Sequence, residues 1–104
     1  MARLMALYKT PKDAAAFDKY YFETHIPISK KLPGLKKLEV NQGAVGSPAG
    51  DSGIHRIAIL HFDDMAAIQA AFASPEGQAT VADVGVFAPE PGAVQILMFE
   101  TRQV

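Results

Sequence analysis

The chain has 104 residues, enough for one domain with a modest core and too few for a second catalytic domain. With 49% hydrophobic residues, 20% charged residues and a formal net charge of -1, it lacks the basic footprint of a nucleic-acid binder or of a protein held on anionic membranes. It has no cysteine, which excludes disulfides, thiolate metal sites and a cysteine nucleophile and leaves packing to hold the fold.

Met1 leads into "ARLMALY", which lacks the length and small-residue cleavage pattern of a signal peptide. No apolar run approaches the roughly 20 residues of a membrane span, so a cytoplasmic protein is expected. "RLMALY" has no helical period and is bounded by Thr10-Pro11, which predicts a first strand. "TPKD" then opens a helix, with Thr10 as cap, Pro11 in the first turn and Asp13 near the positive helix end. That helix is expected to run to about Thr24, because Pro27 disfavours the helical region at Ile26; "PISKKL" then adds at most a turn before Pro33-Gly34. "LKKLEVNQGAV" alternates and predicts a second strand, "GSPAGDSG" a loop, and "IHRIAILHF" a third strand. Asp63 or Asp64 caps a second helix with Met65, Ile68 and Phe72 on its apolar face. Ser74-Pro75-Glu76 starts a further helical piece carrying Val81, Val84 and Phe87. "AVQILMFET" is the last strand.

The order β-α-β-β-α-β predicts a single α+β domain over residues 1–104: a ferredoxin-like sandwich, with an antiparallel four-stranded sheet and helices on one face. A sheet with one wet face should alternate, yet "LMAL", "IAIL" and "ILMF" are apolar at both parities. The helices cover one face only, so a homodimer through the open sheet face is expected.

Phe17, Tyr21 and His25 recur every four residues, so one stripe of the first helix presents a ring, a phenol and an imidazole if its last turn persists. An imidazole with an unperturbed pKa near 6.5 suits proton transfer, and a helix C-terminus would favour its charged form; a histidine capping the last carbonyls is the alternative. Adjacent helical tyrosines point about 100° apart, so only one of Tyr20 and Tyr21 shares the His25 face; the spacing selects Tyr21 and leaves Tyr20 to packing or surface. Tyr8, ending the first strand, is a candidate substrate contact or an edge-packing residue. His55 and His61 share a parity with Ile57 and Ile59 but lie six residues apart, about 20 Å along a strand, which excludes one shared metal ion. His61 is the better cavity-lining candidate, with a solvated strand-end histidine as the alternative. Asp63-Asp64 is explained by helix capping, and Lys30-Lys31 and Lys36-Lys37 by solvated surface. There is no GxGxxG, GxSxG or HExxH pattern, so no cofactor or metal is expected.

The first strand with "YKTP", the helix "DAAAFDKYYFETHIP", the turn "KKLPGL" and "FDDMAAIQAAFASPEGQATVADV" resemble the EthD family, in order and over most of the chain. The resemblance implies a dimeric α+β barrel and a place among oxidoreductases of xenobiotic breakdown, of which ethyl tert-butyl ether degradation gives the family its name. It also places the histidine of "THIP", His25, near a cleft between helices and sheet, as acid, base or hydrogen-bond donor. Haem enters only as a remote alternative, because related barrels include haem-degrading enzymes and His25 or His61 offers an axial ligand. The expected activity is binding of a small apolar, oxygen-bearing molecule, with His25 and Tyr21 as catalytic candidates and Tyr8, Phe17 and His61 as substrate contacts. A cofactor-independent oxidoreductase, an isomerase or cyclase of an aromatic or lactone substrate, and a non-catalytic carrier serving an oxygenase all fit that description.

Overall fold

A computed structural model describes all residues, 1–104. Strands β1 (Ala2–Lys9), β2 (Lys37–Val40), β5 (Ile54–Phe62) and β6 (Val94–Glu100) form one antiparallel sheet in the order β2-β5-β1-β6. Between β2 and β5, the two-residue strands β3 (Gly46–Ser47) and β4 (Gly50–Asp51) make a small hairpin inside the Gly/Ser/Pro loop. Helices α1 (Ala14–Tyr20) and α2 (Ile26–Ser29), then α3 (Met65–Ala73) and α4 (Pro75–Phe87), complete the ferredoxin-like α+β arrangement expected from the sequence.

Local chemistry sets several boundaries away from the sequence reading. Asp13, not Thr10, caps α1, its carboxylate accepting from the Ala16 amide at 3.0 Å; the Thr10 hydroxyl instead donates to the Gly53 carbonyl. The helix does not stop before Pro27. Tyr21–His25 form one π-helical turn, closed by the Ile26 amide on the Tyr21 carbonyl, and α2 continues through Pro27 with Ile26 in ordinary helical geometry. A wider turn just upstream relieves the clash between a proline ring and the carbonyl four residues earlier, which is how the chain keeps a proline inside a helix. The second strand is shorter than its alternating pattern suggests, because the Asn41 side chain takes over from the ladder. Its Oδ1 accepts from the Ile57 amide at 2.9 Å and its Nδ2 donates to the carbonyls of Gly43 and His55. Asp64 caps α3 through the Ala67 amide at 2.8 Å, and Ser74 caps α4 through the Gly77 amide at 3.1 Å.

The core lies between the sheet and the helices. Ala2, Leu4, Ala6 and Tyr8 of β1 and Arg56, Ala58, Leu60 and Phe62 of β5 point to the helices, and Phe17, Tyr21, Ile68 and Ala71 meet them. Ala6 and Ala58 are ladder partners at the centre of the sheet. Two methyl groups side by side leave room above the sheet that the neighbouring helices do not fill. On the opposite face, Met5, Leu7, Ile57 and Ile59 stand beside Leu97 and Phe99, which are 42% and 38% exposed; Arg3, Lys37, Glu39 and His61 border this face.

Candidate active site

The room above Ala6 and Ala58 is a cavity of about 280 Å³, whose sixteen lining residues include thirteen hydrophobic ones. Leu4, Ala6, Ala58 and Leu60 form its floor, Tyr8 and Tyr21 one wall, and His25, Ser29, Thr80 and Val84 the helical side. Its size is near the lower end for small-molecule sites, which run from roughly 300 to 1,000 Å³.

The expected aromatic row survives the π turn. Phe17 stacks on Tyr21 with ring centroids 5.7 Å apart, and Tyr21 sits 5.4 Å from His25. His25 is 4% exposed and Tyr21 1%. His25 is no helix cap: its Nδ1 lies 2.8 Å from Asp83 Oδ2, on the facing helix α4, and its Nε2 lies 3.3 Å from the hydroxyl of Ser29, one turn further on its own helix. A carboxylate offers only acceptors, so Nδ1 carries a proton, and in the neutral ring Nε2 carries the lone pair. Tyr20 donates to the other carboxylate oxygen, Asp83 Oδ1, at 2.6 Å. Phe87 closes this end of the site, its ring 4.6 Å from that of His25.

Burial pushes the His25 pKa below its usual value; the hydrogen bond to Asp83 and that residue's charge pull the other way without restoring it. The sequence-based expectation of a charge-favouring helix C-terminus therefore fails, because the helix continues past His25. Burial raises the Tyr21 phenol to about 12, against the pull of Arg56, and raises Tyr8 further, with help from Tyr21 and Asp83. At neutral pH the site thus holds a neutral imidazole and protonated phenols. No hydrogen bond joins the Tyr8 or Tyr21 hydroxyl to another group of the chain, and both residues, 2% and 1% exposed, line the cavity.

Two candidates from the sequence lie elsewhere. His61 faces the open side of the sheet, its Nε2 2.6 Å from Glu39 Oε1, because strict alternation from Phe62, which points to the helices, turns it away from the cavity. Phe17 backs the wall instead of lining the cavity; it packs on Tyr8, Tyr21 and Phe87 and borders a shallower outer groove of about 540 Å³. His55 leaves the His61 layer as well. A ladder irregularity pairs Lys9 with Ile54 and skips His55, whose ring reaches Asp18 at 2.8 Å on the helix side. There Asp18 also accepts from Arg56 at 2.7 Å, and although burial opposes it, the bonds from His55 and Arg56 hold its carboxyl below the usual range.

Asp83 and Ser29 were not among the sequence candidates, and Tyr20 was left to packing. Asp83 had a readable signal: it is the only charged residue between Glu76 and Glu90, on a helix whose buried positions are Gly77, Thr80 and Asp83 in place of the expected Val81 stripe. Ser29 follows His25 by one helical turn. No group of three or more His, Asp or Glu side chains is placed to hold a metal ion.

The family model of the EthD domain matches residues 9–90. The chain belongs to the EthD family. Over its full length it is 35% identical to an uncharacterised 11.0 kDa protein in the thcB-thcC intergenic region of Rhodococcus erythropolis, covering 98% of that protein. The crystal structure of an EthD family protein from Bacillus halodurans is 36% identical, with a TM-score of 0.89 over 98% of this chain and 99% of that one. At the level of fold alone, SnoaB, a cofactor-independent oxygenase from Streptomyces nogalater, aligns at 16% identity and a TM-score of 0.67, over 99% of this chain and 94% of its own. Two further ferredoxin-like neighbours at 16% identity are described as dimeric. No helix of this EthD protein is long and apolar enough to cross a membrane.

Proposed function

We propose that this EthD protein binds a small, uncharged, oxygen-bearing organic molecule in the 280 Å³ cavity and transfers a proton to and from it through His25 without a cofactor. The observation that carries this reading is His25 itself: an imidazole held by Asp83 in the Nδ1–H form, its Nε2 3.3 Å from the Ser29 hydroxyl, lines an apolar cavity that two phenols also line. Tyr21 and Tyr8 are suited to donate to a carbonyl or phenolic oxygen of the ligand, stabilising the negative charge that develops when Nε2 removes a neighbouring proton. The cavity lining has no lysine, arginine or unpaired carboxylate, which favours a neutral ligand such as a phenol, quinone, cyclic ketone or lactone. Return of the proton at another atom gives an isomerisation; attack of the carbanion on a second carbonyl of the ligand, whose oxygen then takes the proton, gives a ring closure; and capture of the carbanion by dioxygen gives an oxygenation. A second copy packed against the open sheet face would bury Met5, Leu7, Ile57, Ile59, Leu97 and Phe99, and two neighbours of the same fold are described as dimeric.

The test is a thermal-shift screen of those compound classes, followed by NMR of every hit in deuterated water with wild type and His25→Ala. Deuterium entering the ligand with wild type alone supports a proton-transferring enzyme. A ligand that raises the melting temperature of both proteins and never exchanges makes the cavity a carrier site.

A further inference from the structure

The cavity holds two hydroxyls that the proton-transfer reading leaves idle; that of Thr80 donates to the Glu76 carbonyl, and that of Ser29 does not go to the backbone. A serine inside a helix ordinarily donates to the backbone carbonyl four residues earlier. Here the residue four earlier is His25, and the hydroxyl goes to the ring nitrogen Nε2, not to the carbonyl. Asp83 holds Nδ1–H, so Nε2 is the acceptor of that bond, and the proton this base is placed to take is the one on Ser29 Oγ. Ser29 is 4% exposed and lines the cavity, whose wall carries the free hydroxyls of Tyr8 and Tyr21. A nucleophile, a base and two donors for a developing oxyanion therefore line one apolar space, and an orienting carboxylate stands behind the base, the set of roles that acyl transfer requires on any fold.

We propose that Ser29, His25 and Asp83 form an acyl-transfer triad acting on small uncharged esters or lactones. This rests on the reading of the cavity as a site for neutral carbonyl compounds. Ser29 Oγ passes its proton to His25 Nε2 and bonds to the carbonyl carbon, whose oxygen becomes an oxyanion held by the Tyr8 and Tyr21 hydroxyls. The carbon–oxygen bond to the alcohol breaks as the leaving oxygen takes the proton from Nε2. Water then gives its proton to Nε2 and attacks the acyl carbon, and Ser29 Oγ leaves with that proton. The reaction needs no reagent beyond ester and water. The 3.3 Å Ser29–His25 separation is slightly longer than the 2.6–3.2 Å typical of a working pair, a looseness common before substrate enters.

The probe is p-nitrophenyl acetate with the full chain. Wild type is expected to release a burst of p-nitrophenol, with an acetyl group located on Ser29 by peptide mass spectrometry. Ser29→Ala should lose the burst, Ser29→Cys should carry the acetyl group on sulfur, and Asp83→Asn should slow acylation on the order of 10²- to 10⁴-fold. Acetyl found only on His25 or surface lysines, or an undiminished burst in folded Ser29→Ala, overturns the proposal. So does a lactone that raises the melting temperature of wild type when no ester acylates Ser29, and in that case the proton-transfer reading of the cavity stands. If neither ester nor lactone binds or reacts, the acyl-transfer proposal falls, and the proton-transfer reading falls with it only when the phenols, quinones and cyclic ketones also leave the melting temperature unchanged.

Discussion

Replacing Asp83 by asparagine changes one atom and should disable the site by a definite route. The carboxylate accepts from His25 at 2.8 Å and from Tyr20 at 2.6 Å, in a place where its side chain is 9% exposed. An asparagine has one acceptor and one donor, so it serves one of these partners and presents an N–H to the other. Hydrogen bonds to a charged group contribute about 1.5–3 kcal/mol each, and the loss of one sets the expected destabilisation at about 2 kcal/mol. For a domain of this length that lowers the melting temperature by roughly 8–16 °C. If Tyr20 keeps the acceptor, the amide N–H faces His25 and Nδ1 must accept, moving the ring proton to Nε2 and removing the base from the cavity. Nitrogen-15 NMR reads the tautomer directly: protonated Nδ1 in wild type, protonated Nε2 in Asp83→Asn. A variant that keeps both the wild-type tautomer and the wild-type melting temperature would refute the assignment of Asp83 as the group that orients His25.

Gly77→Ala should destabilise the fold by about 2 kcal/mol despite the better helix propensity of alanine, because the new methyl overlaps the Ala71 carbonyl oxygen and the Phe72 backbone where α4 crosses the end of α3; chemical denaturation measures it, and a neutral result means that the two helices are free to part there. All three tyrosines are raised, Tyr8 and Tyr21 chiefly by burial and Tyr20 chiefly by its bond to Asp83, so native tyrosinate absorbance should appear only above the pH 10 at which the denatured chain ionises. Since the folded phenols hold their protons longer, the stability they confer is complete below about pH 10 and is lost as pH rises from there toward the folded values, near 12 for Tyr21; a native titration at the denatured pH contradicts the buried wall. Ile59→Lys puts a charge on the open face beside its ladder partner Glu39, which can pair with it in the monomer, so sedimentation should show a dimer for wild type and a folded monomer for the variant. A wild-type chain that sediments as a monomer at micromolar concentration ends the dimer proposal.

The fold was legible because its signals were local and redundant. Three apolar runs and one alternating one, caps at Asp63-Asp64 and Ser74, and the Gly/Ser/Pro loop each constrain one element, and together they leave a single order of strands and helices. The candidate site was legible at Tyr8, where the first strand ends, and along one helical period: Phe17, Tyr21 and His25 share one stripe, and the structure keeps them in a row. Asp83 lies 58 positions from His25, and no period within one helix announces a pairing between two. His61 misled for a related reason. Strand parity places it correctly with Ile57 and Ile59, but parity does not say which face carries the cavity; that is decided by the Ala6–Ala58 pair and the helices above it.

Pro27 shows how far a single local rule can mislead. Read alone, it ends the helix before the imidazole has a fixed place, and His25 becomes a cap. The chain instead inserts one wide π turn, Tyr21–His25, and continues. Because that turn holds an extra residue between hydrogen-bond partners, it rotates the downstream residues relative to an ideal helix, and it ends on His25 itself. The continued helix then supplies Ser29 one turn later, against the same imidazole. A proline that terminated the helix would leave His25 at a helix end with no hydroxyl on Nε2. The proline that is accommodated produces a buried neutral base between Asp83 and Ser29. Pro27→Ala tests this link: with the steric reason for the π turn removed, the segment is expected to relax toward a regular helix, the Ser29–His25–Asp83 alignment to loosen, and the His25 Nδ1–H signal to broaden by exchange. Should the variant keep a sharp Nδ1–H resonance, the π turn is held by the packing of the Tyr21 and Phe17 rings, and the proline is its passenger.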